Sequence, residues 1–119
     1  MQELESIIED AFENRSQGFE DREKISGAVQ MAIELLDSGR ARVAEKRGSD
    51  WHVNQWLKKA VLLSFALSDN KVIEGSHSRF YDKVPMKYAD YTEDQFAADG
   101  VRVVPDALVR RGAYIGPNV

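Results

Sequence analysis

The chain has 119 residues, a net charge of −4 and no cysteine, and 43% of it is hydrophobic against 30% charged. That gives room for one domain with a modest core, in the proportions of an ordinary folded protein rather than a disordered one. Disulfides, thiol catalysis and cysteine-held metals are excluded, the negative total weighs against general nucleic-acid binding, and no apolar run has the length to span a bilayer.

The first residues, Met1-Gln2-Glu3-Leu4-Glu5, are acidic and lack the basic-then-apolar layout of a secretory signal, so a soluble cytoplasmic protein is expected, with no membrane partner. Leu4, Ile7, Ile8, Ala11 and Phe12 recur at the spacing of a one-faced helix, and Glu3, Glu5, Glu9 and Asp10 sit toward its start, where they complement the helix dipole. Arg15-Ser16-Gln17-Gly18 ends it. A second helix carries Ile25, Ala28, Val29, Ala32, Ile33, Leu35 and Leu36 on its apolar face, with Glu20 and Asp21 at its start and Gly39 as its C-terminal cap. Joined by a short polar loop, the two should pair as a helical hairpin.

Two extended runs follow, Arg42 to Lys46 and Trp51 to Val53, around the turn-rich Arg47-Gly48-Ser49-Asp50, and are read as a small β-hairpin. The third helix follows directly. Trp56, Ala60, Leu63 and Leu67 form one stripe and Leu57, Val61 and Phe65 a second, so this helix is expected to be mostly enclosed. Asn54 is suited to cap it, and Ser68-Asp69-Asn70 to stop it with Asn in the left-handed conformation. Lys58 and Lys59 lie near its first turn, where positive charge opposes the dipole. They read as solvated lysines or as groups with outside partners, the former being the commoner case.

Lys71-Val72-Ile73-Glu74 reads as a further strand closed by Gly75-Ser76. Between Ser78 and Tyr91, Arg79, Lys83 and Lys87 alternate with Phe80, Tyr81, Tyr88 and Tyr91, and Pro85 forbids a regular helix or central strand. Rings interleaved with cations can grip a nucleotide, but the commoner outcome is an irregular connector that pins itself with rings and keeps its lysines in water. Thr92 with Gln95 three residues on makes a capping box for a short helix ending at Gly100. Val101-Arg102-Val103-Val104-Pro105 is expected as a brief strand, with Arg102 and Val104 facing one way and the other two valines the opposite way. An arginine in such a strand needs a partner. Either a carboxylate of its own domain pairs with Arg102, or a ligand carboxylate does, which a planar five-donor guanidinium suits well. Asp106 to Arg111 is read as one helical turn.

No glycine-rich phosphate loop, nucleophile elbow or HExxH zinc helix is present, His52 and His77 are isolated, and no internal repeat is visible. On the residues alone this is a small α+β domain, with no metal site and no catalytic residue to nominate.

Four stretches, taken in order, carry a resemblance. They are Leu36-Asp37-Ser38-Gly39 with Arg42-Val43-Ala44-Glu45-Lys46, then Gln55-Trp56-Leu57-Lys58-Lys59-Ala60-Val61-Leu62-Leu63-Ser64-Phe65, then Tyr81-Asp82-Lys83-Val84-Pro85-Met86-Lys87, and last Val101-Arg102-Val103-Val104-Pro105. Together they resemble the N-terminal part of tetrahydrodipicolinate N-succinyltransferase, from Met1 to Val119. The resemblance implies a bacterial cytoplasmic enzyme of lysine and diaminopimelate synthesis that moves succinyl from succinyl-CoA to a ring-opened dicarboxylate acceptor. It implies a homotrimer, no permanently bound cofactor, and a left-handed parallel β-helix of hexapeptide repeats behind a mainly helical N-terminal domain.

On that basis residues 1–100 are expected to form the helical domain. Residues 101–119 would supply a strand and the first hexad, Tyr114-Ile115-Gly116-Pro117-Asn118-Val119, with Ile115 facing inward. The acid–base residues and CoA-binding coils of the family would lie beyond Val119, so the chain reads as an inactive fragment whose last residues, from about Gly112, lack their packing partners. Arg102 matches the family's acceptor-binding arginine. The alternative is a self-standing helical interaction module without catalytic activity.

Overall fold

The computed structural model describes all residues from Met1 to Val119. Its elements in chain order are α1 (Gln2–Glu13), a 3-10 turn (Arg15–Gln17), α2 (Arg22–Asp37), β1 (Ala44–Arg47), β2 (Asp50–Val53), α3 (Gln55–Ala66), β3 (Lys71–Glu74), β4 (Arg79–Asp82) and α4 (Glu93–Asp99). The small α+β domain expected from the sequence is the one found.

Helices α1, α2 and α3 pack pairwise on one another and hold the whole core. Thirteen residues are buried, all of them apolar, and none lies outside the span from Leu4 to Leu63. Ile8, Val29, Leu57 and Leu63 are the largest fully enclosed side chains, each worth roughly 1.5–3 kcal/mol relative to exposure. Asp21 caps α2 by accepting from the Lys24 N–H at 3.2 Å. At the other end Gly39 takes φ +77° and its N–H reaches the Leu36 carbonyl, as the sequence predicts.

Helix α3 is less enclosed than its two stripes suggest. Trp56, Leu57, Ala60 and Leu63 are buried, Val61, Phe65 and Leu67 are half-buried, and Leu62 is exposed. The reason is that α1 and α2 cover one side only. Asn54 does not cap it with its side chain. Its amide turns back instead, donating to the Arg42 carbonyl at 2.7 Å, while its backbone N–H reaches the Val43 carbonyl at 2.7 Å. This asparagine ties the hairpin to the helix. The helix then stops at Leu67 in a right-handed conformation, and Asn70 is not left-handed. Lys58 is exposed, whereas Lys59 crosses to Glu9 of α1 at 2.6 Å.

Each sheet has two antiparallel strands, β1 with β2 and β3 with β4. Ala44 pairs with Val53 and Lys46 with Trp51, and the face shared by Trp51 and Val53 is exposed. Strand β4 corrects the reading of the connector as irregular from Ser78: its first residues pair with β3 in the register Ile73 to Phe80, and irregular backbone begins only after Asp82.

Two further expectations fail. Val101–Val104 forms no strand and joins no sheet: the backbone bond from the Arg102 N–H to the Val119 carbonyl is not continued by a second one along the segment. Asp106–Arg111 makes no helical turn. The Lys87 N–H donates to the Val109 carbonyl and the Arg111 N–H to the Pro85 carbonyl, which draws this stretch out alongside the connector.

The radius of gyration is 16.1 Å and the extents are 42 × 41 × 21 Å. A compact chain of this length has a radius near about 13.5 Å, so the molecule is a flattened body. Its second half lies on the three-helix core without a core of its own.

Candidate functional site

The best-formed polar centre begins at the end of α2. Asp37 lies in the last helical turn, where a carboxylate opposes the dipole and calls for a partner. That partner is Lys87. Its ammonium sits 2.8 Å from Asp37 Oδ1 and 2.9 Å from the Asp37 carbonyl, and its side chain is only 7% exposed. The same Oδ1 accepts the Gly112 N–H at 2.8 Å. One carboxylate therefore joins helix, connector and C-terminal segment. Sequence reasoning placed Lys87 in water; the signal it missed was an acidic residue at the wrong end of a helix.

From Lys87 the chain runs into Tyr88 and Tyr91, whose rings pack on each other and on Phe96 of α4 with centroid separations of 4.8, 5.2 and 5.0 Å. These two rings are thus spent on pinning α4, whereas Tyr81, earlier in the stretch, is exposed. Tyr91 donates its hydroxyl to Asp99 at 2.6 Å. That bond, with burial and the Asp99 charge behind it, pushes the phenol up to about 12. Burial followed by the charges of Asp99 and Asp37 also raises Tyr88.

Helix α4 begins at the capping box formed by Thr92 and Gln95 and ends at Gly100, which is left-handed at φ +65°. This turn delivers the chain to Arg102. Two backbone bonds fix the position, the Asn118 N–H to the Gly100 carbonyl at 2.7 Å and the Arg102 N–H to the Val119 carbonyl at 2.8 Å. Val101 and Val103 are half-buried while Arg102 and Val104 are exposed, as the alternation predicts. The Arg102 guanidinium makes no ion pair and no hydrogen bond, its nearest acidic candidate in sequence, Asp99, being engaged by Tyr91. A cation held by its backbone, with its donors free, is equipped to receive a carboxylate in bidentate fashion.

Arg102 is exposed and lines none of the five best-formed concavities. The segment after Gly112 buries no residue, in keeping with the missing packing partners expected of it, yet it is tied down at several points. Beyond the bonds at Gly112, Asn118 and Val119, the Tyr114 ring lies against Gly39 and under the Arg42 guanidinium, 4.5 Å from its centroid. His77 reaches only Asp106, at 4.0 Å, and His52 stands across the hairpin from Glu45. The two histidines are brought to no common centre.

Residues 3–67 match the family model described as the tetrahydrodipicolinate N-succinyltransferase N-terminal domain. A 2,3,4,5-tetrahydropyridine-2,6-dicarboxylate N-succinyltransferase of Alteromonas mediterranea is 58% identical over 99% of this chain. Enzymes of the same name from Alkalilimnicola ehrlichii and Methylococcus capsulatus are 56% identical over 99% and 57% identical over 98%. In each case the chain spans 44% of the relative's own length. No helix of the chain is long and apolar enough to cross a membrane.

Proposed function

Because the chain belongs to the tetrahydrodipicolinate N-succinyltransferase family, we propose that it is the front part of an enzyme moving succinyl from succinyl-CoA to tetrahydrodipicolinate in lysine and diaminopimelate synthesis, with Arg102 binding an acceptor carboxylate. The observation that carries the assignment is the state of Arg102: its backbone is bonded on both sides of the turn after α4, and its guanidinium is exposed and unpaired. A dicarboxylate acceptor brings the charge that this position lacks. Binding it there both adds affinity and turns the acceptor amine toward the thioester, and orientation contributes to rate beyond affinity.

The transfer is attack of the amine on the thioester carbonyl, through a tetrahedral intermediate, with loss of a proton to a positioned base and departure of CoA as the thiol. No residue of this chain takes the part of base. Supporting a larger arrangement, Val72, Tyr81, Val104 and Leu108 are 49–72% exposed in the half of the molecule that has no core. A hexapeptide β-helix packed behind residues 101–119, and association as a cytoplasmic homotrimer with sites between neighbouring subunits, would cover such side chains and give Arg102 its facing wall. On this reading the 119 residues alone are inactive.

The test is Arg102→Ala in an enzyme of the relatives' full length. A charge-assisted hydrogen bond is worth roughly 1.5–3 kcal/mol, so KM for the acceptor should rise roughly ten- to a hundredfold, with KM for succinyl-CoA nearly unchanged. Arg102→Lys, which keeps the charge but not the fork, should fall between. An unaltered acceptor KM refutes the role.

A further inference from the structure

Away from Arg102, a concavity of about 360 Å³ lies where the end of α3, the start of β3, the connector and the segment before Gly112 meet. Three cations line it from three separate segments, Lys71, Lys83 and Arg111, against one carboxylate, Asp69. Gln30, Ser64 and Ser68 add polar side chains around them. The protein as a whole carries −4, so positive charge gathered in one hollow runs against its balance.

The cations differ in what is left of their donors. The Arg111 guanidinium is taken by Glu34 of α2 at 2.5 Å. Lys71 and Lys83 make no ion pair and no side-chain hydrogen bond, although Lys83 is half-buried, and the Ser68 hydroxyl and Gln30 amide are likewise unengaged. A free planar fork would serve a carboxylate or a phosphate alike, but here it is already occupied. Two ammonium groups and a hydroxyl instead offer point donors from several directions, which suits the tetrahedral oxygens of phosphate.

We propose that this hollow is a phosphate-binding site, taking inorganic phosphate or the phosphate of a small phosphomonoester between Lys71, Lys83 and Ser68. The two lysines also lie near the carbonyl end of α3, so a purely helix-stabilising role for them is the competing account. Neither account depends on what Arg102 binds, and the test does not use transferase activity.

Backbone-amide NMR titrations of the 119-residue protein at low ionic strength separate the two. Inorganic phosphate, ribose 5-phosphate and succinate are the probes. Phosphate should give saturable shifts at Ser68, Lys71, Lys83 and Arg111, with a Kd on the order of 1 mM that weakens as sodium chloride screens the charges. A tighter ribose 5-phosphate isotherm at the same amides identifies a phosphomonoester as the ligand, and a weaker one identifies the free ion. The paired change Lys71→Gln with Lys83→Gln should weaken phosphate at least about tenfold, and Lys24→Gln on α2 should leave it unchanged. No saturable shifts, equal shifts in the paired variant, or succinate binding more tightly than either phosphate would each overturn the proposal. A melting temperature that falls in the paired variant but never responds to phosphate would establish the helix-stabilising role in its place.

Discussion

Replacing Lys87 by Met tests the junction at Asp37 most directly. Met keeps the length and apolar stem of the side chain and removes the ammonium, so packing is largely retained while the charge pair is broken. Breaking a buried pair by removing one partner costs about 3–5 kcal/mol, because the other charge is left without compensation. Two features moderate this here: Asp37 is 18% exposed and still accepts the Gly112 N–H. A loss of about 2–3 kcal/mol is therefore expected, which is a large share of the 5–15 kcal/mol typical of a whole domain. For a chain of this size that is a fall of about 8–12 °C in Tm.

Thermal and urea unfolding followed by far-UV circular dichroism measure it, with Asp37→Asn as the second arm. Asn keeps an oxygen for the Gly112 N–H but carries no charge. The double variant should then recover to within about 1 kcal/mol of the unaltered protein, since no buried charge remains unpaired. A loss below about 0.5 kcal/mol in Lys87→Met, the range of an ordinary surface change, would refute the reasoning. So would a double variant no more stable than the single one.

Gly39→Ala should destabilise by about 2 kcal/mol or more, since Gly39 is left-handed at φ +77° and the new methyl would lie 2.7 Å from the Tyr114 ring. Chemical denaturation measures the loss, and Tyr114→Ala in the same chain should relieve the steric part of it. In a phenolate absorbance titration of the four tyrosines, Tyr91 should ionise last, near 12. Its folded value lies above the unfolded one near 10, so the Tyr91–Asp99 contribution to stability is complete below about pH 10 and is lost as pH rises toward 12. Tyr91→Phe should flatten that alkaline decline, and a decline of unchanged steepness would contradict the assignment.

The parts of the fold legible in the sequence were those set by local rules. The apolar periods of α1 and α2, the capping box at Thr92 and the glycine ends at Gly39 and Gly100 need only neighbours within a few residues to be read. What was not legible depended on distant pieces of chain. Asn54 looks like a cap until Arg42 is known to lie beside it. Val101–Val104 looks like a strand until its bond to Val119 proves to be continued by no second one. Lys87 looks solvated because Asp37 is fifty positions away, and only the carboxylate's poor placement on its own helix hinted otherwise. For Arg102, alternation placed it with Val104 on the face opposite Val101 and Val103, as found, while the absence of an internal carboxylate partner depends on where distant acidic residues lie and could not be read locally.

Neither sheet has an interior strand. All four strands therefore leave one row of amides and carbonyls free along an outer edge, and such edges invite pairing with other chains. Here each strand is only four residues long and studded with charge: Glu45, Lys46 and Arg47 on β1, Asp50 on β2, Lys71 and Glu74 on β3, and Arg79 and Asp82 on β4. Short, charged borders of this kind disfavour pairing with a further chain, even beside an exposed Trp51.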